Sequence, residues 1–397
     1  MPRFVERFRC IGPRCEDTCC SDWAIYVDKK TYKAYRNEAP PELDLLMENI
    51  VRLNGGSDNS PYAAIMPVGE LRRCPALTDG LCSVHATLGE SYLSNVCHSY
   101  PRTNRSAQDQ LEQMITLSCP EAARLALLAE DAFDFVEAPV QIRDSEIVRV
   151  DSRFDFSPEV MTEIRIFCLN LVRTRELALW QRLALLGNFC DSLTHLCITK
   201  QQAAAPTLIN DFVRVIENGD LVAALDLIQP NHEAQSQVFA TLWGAKGFET
   251  GSAAQRELIR QISGKLGADD NGQVTAEGLA EAYRRGLGRL DEALAEAPWW
   301  LENYLVNEMF TQFVPFNGNN PYDGFLRIVA RFGLLRLLLA AQCNTGEELP
   351  PLATLTATVY LYCRRFQHDR DYGDRVNTAL YESGWADLNK LYTLLRT

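Results

Sequence analysis

From Ser157 onward, apolar residues recur at intervals of three and four. Ile164, Phe167, Cys168 and Leu171 begin a run that continues to Leu196. The same period marks 207–228, 232–264, 275–296, 298–314, 321–342, 350–370 and 373–395, which predicts an all-α helical domain over 157–397. Ser157-Pro158-Glu159 starts it, with serine as N-cap and proline in the first turn. The preceding stretch, 126–156, loses the helical period (Pro139-Val140-Gln141-Ile142-Arg143, then Ile147-Val148-Arg149-Val150) and reads as a linker with one or two extended segments.

Residues 1–125 are patterned differently. Thr31–Leu53 reads as one helix, broken at Pro40-Pro41 and ended by Asn54-Gly55-Gly56-Ser57. Pro61–Gly69 suits a short strand, and the turn Thr78-Asp79-Gly80 makes a hairpin between Cys74 and Cys82. A short helix is expected at 83–89, and Pro120 opens another at its first position. The fold class is therefore mainly α, with a loop-rich N-terminal domain over 1–125 ahead of the helical one. Gly286-Leu287-Gly288, the only G-x-G, sits inside a helical pattern and reads as a helix end rather than a cofactor loop.

Composition narrows the function. The 397 residues are 47% apolar, an ordinary globular proportion that excludes disordered and low-complexity classes. A net charge of −13 argues against nucleic-acid binding, which needs phosphates neutralised by cations. Residues 1–125 carry only −2 of it, so the remainder at −11 could face a basic, lysine-bearing partner. The first ten residues hold charges where an export signal needs a continuous apolar core. The most apolar stretch, Phe332–Cys343, is too short to cross a bilayer and contains Arg336. A cytoplasmic protein with no membrane partner is expected.

Cysteine placement changes the picture most. Eight of 13 cysteines fall within the first 119 residues: Cys10, Cys15, Cys19, Cys20, Cys74, Cys82, Cys97 and Cys119. Cys168, Cys190, Cys197, Cys343 and Cys363 lie in apolar helical sequence and read as small hydrophobes. The first set occupies polar, turn-rich sequence spaced C-x4-C-x3-C-C. Four disulfides would need an oxidising compartment, and an odd total fits them poorly. Reduced thiols this dense are an oxidation hazard unless a metal holds them. The spacing leaves zinc and iron–sulfur both open, since it gives one C-x3-C knuckle without a second and matches neither ferredoxin pattern. It is not that of a radical S-adenosylmethionine enzyme, because position 22 is Asp where the third cysteine of C-x3-C-x2-C would stand. Cys15, Cys19, Cys20, Cys82 and Cys97, in turns beside polar or aromatic residues, are the leading ligand candidates. Cys10, Cys74 and Cys119 border proline or strand-like sequence and suit supporting roles. His85 and His98 adjoin cysteines and could ligate, support or accept a proton; His195, His232 and His368 lie in helical patterns and take no role.

Several segments together resemble a known family. Cys10-x4-Cys15-x3-Cys19-Cys20-x2-Trp23, Cys74-Pro75-x-Leu77-x3-Gly80-x-Cys82-x2-His85-x3-Gly89, Cys97-His98-Ser99-Tyr100-Pro101-Arg102, Ser118-Cys119-Pro120-Glu121 and Trp300–Phe310 are similar to the flagellin lysine-N-methylase family. Small zinc- or iron-chelating C-x-x-C-C proteins resemble only the first segments, in the N-terminal part. The resemblance implies methyl transfer from S-adenosylmethionine to lysine side chains of flagellin, in the bacterial cytoplasm, with a [4Fe–4S] cluster held by four of the eight cysteines. It tilts the metal toward iron–sulfur without assigning ligands. On that reading Arg102, with Tyr100 beside it, could hold the cofactor's carboxylate. Asn303 and Asn307 share a helix face adjoining Trp299 and Trp300, where a lysine amine could be oriented by cation–π contact. The alternative is a metal- or cluster-carrying protein without catalysis of its own, although a mere chelator needs no acidic helical domain of about 240 residues.

Overall fold

The computed structural model describes residues 1–53, 61–107, 110–244, 253–267, 273–344, 346–369 and 371–397. The expected loop Asn54–Ser57 lies outside them. Short elements dominate the N-terminal third: α1 (Arg3–Arg7), β1 (Ile25–Val27), α2 (Lys29–Glu38), α3 (Asp44–Glu48), β2 (Ile50–Arg52), β3 (Ala63–Ile65), β4 (Leu77–Thr78), β5 (Leu81–Cys82), α4 (Ser83–Leu88), α5 (Asn95–Ser99), β6 (Arg102–Ala107), β7 (Gln110–Ile115), α6 (Pro120–Leu127) and β8 (Ile147–Arg149). Helices follow: α7 (Pro158–Val172), α8 (Leu179–Ile198), α9 (Ala205–Asn218), α10 (Asp220–Leu225), α11 (His232–Gly244), α12 (Ala253–Lys265), α13 (Ala276–Ala293), α14 (Trp300–Gln312), α15 (Pro321–Cys343), α16 (Leu352–Phe366), α17 (Tyr372–Glu382) and α18 (Leu388–Leu395). The chain is mainly α, as its periodicity predicts.

Local chemistry explains many boundaries. Asp28 caps α2 by accepting from the Thr31 amide at 2.9 Å, and Ser157 caps α7 through the Val160 amide. Asp79 and Gly80 both take positive φ (51° and 78°), as the two-residue β4–β5 hairpin requires. One expectation changes: residues 50–52 leave the predicted helix and form a strand. Ile50 pairs with Ile65, whose other neighbour is Ile25, in an antiparallel sheet of order β1-β3-β2. A β-branched Ile-Val pair beside a ready edge favours the sheet.

The packing draws its line elsewhere than at residue 125. A small core gathers Ile25, Val27, Tyr35, Leu43, Leu46, Ala63, Ile65 and Val84. The larger core joins the C-terminal helices to Phe4, Phe8, Met114, Ile115, Leu117, Ala123, Leu127 and Phe133. Part of the expected linker is structural too, since β8 pairs parallel to β6 (Asn104 with Ile147). Long α15 runs through the middle, buried from Pro321 to Cys343 except at Arg327. Its Arg336 is satisfied by the Leu394 and Leu395 carbonyls and the Tyr283 hydroxyl. No helix among the described residues is long and apolar enough to cross a membrane.

Gly286 is a correction. It lies inside α13, not at a helix end, where the backbone meets α15 so closely that a Cβ would strike the Ala340 carbonyl, whereas a Cβ on Gly288 would meet nothing within 4 Å. Gly286→Ala should therefore cost about 1–3 kcal/mol, the range for overpacking. Gly288→Ala should be neutral or stabilising by up to about 1 kcal/mol. Urea midpoints of the two variants check this contrast, and equal midpoints would contradict the close approach.

Candidate functional site

The eight N-terminal cysteines come from five separate elements. After α1 the chain passes exposed Cys10, makes one 3₁₀ turn over Gly12–Arg14 and reaches Cys15, whose Sγ donates to the Asp17 carbonyl at 3.4 Å. Cys19 and Cys20 follow. The Trp23 indole donates to the Cys19 carbonyl at 2.7 Å, and the Cys74 amide to the Cys20 carbonyl at 2.8 Å. The tight turn that adjacent cysteines require is completed by Asp22 at φ 71°. Hairpin β4–β5 presents Cys82, and α5 presents Cys97 behind a Ser94 cap. Cys119 is the N-cap of α6.

Cys19 is the common neighbour. Itself exposed, it stands within electrostatic reach of the thiols of Cys15, Cys74, Cys97 and Cys119, and its hydrogen bond with Cys20 pushes its own pKa well up. Cys82 acts on Cys74 and Cys97, and these three pack against the small core. Cys74 and Cys119, ranked lower by sequence context, thus stand inside the thiol group, while Cys10 stays exposed on its edge. Burial raises the thiol pKa of Cys97 to about 11 and those of Cys74 and Cys119 to about 12. Among the described residues, no three His, Cys, Asp or Glu side chains converge closely enough for a single metal ion. The donors in this group are thiols, the residue type that a thiophilic group takes.

Other candidates land differently. Tyr100 is half-buried, its hydroxyl 3.0 Å from Ser118 Oγ and its ring 6.0 Å from Trp23 and 6.3 Å from His368. Arg102 instead stacks its guanidinium 5.1 Å over the Phe8 ring, near Arg9 and Cys10. The two do not converge on one carboxylate. His98 Nδ1 lies 2.5 Å from Glu146 Oε1, so a carboxylate takes it, and His85 is exposed on α4.

The proposed lysine platform on α14 is corrected. Trp299 is half-buried, and Trp300, Asn303 and Asn307 are fully buried. Asn303 donates to the Ala126 and Ala129 carbonyls at 2.8 and 3.0 Å, and Asn307 to the Ile115 carbonyl at 2.9 Å. These amides are clamps between the chain's two ends and present no face to a substrate.

Residues that no sequence segment brought together meet at the site. Ser118 Oγ lies 3.0 Å from Tyr100 Oη, 3.2 Å from Thr116 Oγ1 and 2.9 Å from His368 Nε2. Thr116 donates to Gln367, which donates to Glu308, the partner of Arg331. Nothing local signals these pairings, because Ser118 and His368 are 250 positions apart. At the far end of α6 a cavity of about 900 Å³ is lined by Glu130, Asp131, Asp134, Glu176 and Glu302 with Arg173 and Arg175. Arg7 holds the Asp131 carboxyl below its usual range through a paired hydrogen bond.

Comparison with known proteins now carries weight. The family described as FliB lysine N-methylase C-terminal domain matches residues 165–394, and the chain belongs to the FliB lysine N-methylase family. It is 24% identical over 383 residues to the Lysine-N-methylase of Salmonella typhimurium (strain LT2), covering 93% of this chain and 92% of that one. The Lysine-N-methylase of Salmonella choleraesuis (strain SC-B67) is similar at the same identity and coverage. The Flagellar biosynthetic protein FliU of Salmonella muenchen is 34% identical over 154 residues, 38% of this chain and 90% of that protein. No solved structure matches.

Alkylation tests the thiol geometry. In the metal-free chain, thiols raised to about 11 and 12 are roughly a thousandth or less ionised at pH 8. Iodoacetamide should therefore modify Cys10 first and spare Cys74, Cys97 and Cys119, whose rates should rise about tenfold per pH unit. Peptide mass spectrometry that found Cys74 modified as fast as Cys10 would contradict this arrangement.

Proposed function

We propose that this chain is a protein-lysine N-methyltransferase that takes its methyl group from S-adenosylmethionine, acts on flagellin in the cytoplasm, and holds a [4Fe–4S] cluster through its N-terminal cysteines. Near full-length likeness to proteins named Lysine-N-methylase carries the activity. The flagellar name of a third relative supports the substrate. A group of seven thiols supports the cluster, with Cys15, Cys19, Cys20, Cys74, Cys82, Cys97 and Cys119 as the pool from which four ligands come. When bound, such a cluster supplies an electron-transfer couple or a Lewis-acidic iron.

The chain's own residues have two tasks. The carboxylates of Glu130, Asp131, Asp134 and Glu176 at the cleft attract a lysine ε-ammonium. The amine must then lose a proton to water before its lone pair attacks the methyl carbon, the new C–N bond forming as the S–CH3 bond of S-adenosylmethionine breaks and S-adenosylhomocysteine leaves. Buried Ser118, with half-buried Tyr100 beside it, limits water on the thiol side of the seam.

Anaerobically reconstituted full-length protein, mixed with flagellin and methyl-labelled S-adenosylmethionine, should place label on flagellin lysines. Cys19→Ala and Cys97→Ala should lose iron and transfer together, whereas Cys343→Ala, at the buried end of α15, should keep both. The rate should fall between 0.1 M and 1 M salt, as the Debye length shrinks from about 10 to about 3 Å. A chain fully loaded with iron that transfers no label would be the non-catalytic carrier instead.

A further inference from the structure

We propose that Arg364, in the last turn of α16, is the positioning residue that closes the thiol loop, so that the cysteine site is completed by the C-terminal helices. The proposal deepens the cluster reading above and rests on it only for the iron arm of its test.

Residues 10–23 contain little regular structure beyond the turn at Gly12–Arg14, so other contacts must fix their shape. Four successive carbonyls do so. The Arg364 guanidinium donates through Nη2 to the Asp17 carbonyl at 3.1 Å and through Nη1 to the Thr18 carbonyl at 3.2 Å. Trp23 and the Cys74 amide take the Cys19 and Cys20 carbonyls. Arg364 also pairs with the Asp17 carboxylate at 2.5 Å, both side chains only 12% exposed. Across the loop, Arg124 of α6 holds Glu16 at 2.6 Å.

The peptide that Arg364 grips is the one before Cys19. Neighbouring side chains diverge, so the direction in which Cys19 and Cys20 point depends on the backbone of residues 17–20. A residue 346 positions away in sequence thereby aims the central thiol. Arginine suits this task, because its planar fork reaches two carbonyls and a carboxylate at once, which a lysine ammonium on a flexible stem does not. An ion pair serving stability alone would need only the carboxylate. The two carbonyl bonds are what tie Arg364 to loop shape.

The test uses the full chain with Arg364→Met, Arg364→Lys and Asp17→Asn. Limited trypsin cleavage after Arg14 of metal-free protein reports loop opening, since cleavage tracks the open population. Arg364→Met should cleave there at least about tenfold faster, as loss of charge-assisted hydrogen bonds implies. Arg364→Lys and Asp17→Asn should fall between it and the unaltered chain. Iron and sulfide retained after anaerobic reconstitution should follow the same order. If Arg364→Met fails to fold, Arg364→Lys decides: faster cleavage with an unchanged thermal melt supports the proposal. Wild-type cleavage rates in a folded variant overturn it, as does faster cleavage with iron fully retained. If the unaltered chain takes up no iron, the cluster reading fails, and the cleavage series alone decides whether Arg364 closes the loop.

Discussion

Burying a carboxylate or a side-chain amide is costly unless a neighbour answers it, and α14 carries four such groups that are answered. Glu302, Asn303, Asn307 and Glu308 are all at most 2% exposed. Glu302 accepts from Arg182 at 2.8 Å and Arg175 at 3.0 Å, and Glu308 from Arg331 at 2.6 Å and Gln367 at 3.1 Å. Removing one partner of such a buried pair costs about 3–5 kcal/mol, and an orphaned buried amide about 1–3 kcal/mol. Because the asparagines bond to carbonyls of β7 and the α6 region, the N-terminal chain must dock where it does. The seam is set by these obligations more than by hydrophobic contact, which is non-directional.

The thiol cluster inherits its geometry from this docking. Cys119 caps α6, whose C-terminal carbonyls Asn303 holds. Cys74, Cys82 and Cys97 hang on the small core, and Cys15 to Cys20 lie on the loop between the two. A site assembled from both cores is only as ordered as their contact. The vicinity of Tyr100, where Trp23, Ser118, His368 and Arg364 meet, is that contact.

Much of the fold was legible because its causes are local. Ser157 before Pro158, Cys119 before Pro120 and the Asp79-Gly80 turn each announce an element through chemistry within a few residues. The cysteine set was legible by composition and context. The site's remainder was not, since its causes lie far apart in the chain. Spacing placed Asn303 and Asn307 on one helix face but could not say what that face meets. Arg364 and His368 sit in ordinary helical periodicity, and their partners are some 250 to 347 positions away. Residues 50–52 leave the helical pattern for a related reason: the sheet edge that captures them is supplied by Ala63–Ile65.

Charge counting by halves also hid something. The −11 beyond residue 125 suggests an acidic helical domain, yet Asp131 and Asp134 lie against α1 of the N-terminal chain, where Arg3 and Arg7 pair with them, and neighbouring Glu130 pairs with Arg175. They face Glu176 and Glu302 across the cleft, so the acidic surface belongs to the seam rather than to either part. The same helix that begins at Cys119 ends just before these carboxylates. Eight residues at 1.5 Å each make α6 about 12 Å long, and this rigid spacer sets the distance from thiols to cleft. Asn303 grips its far end and Arg124, through Glu16, ties its flank to the thiol loop. Neither surface can shift relative to the other without breaking one of those holds.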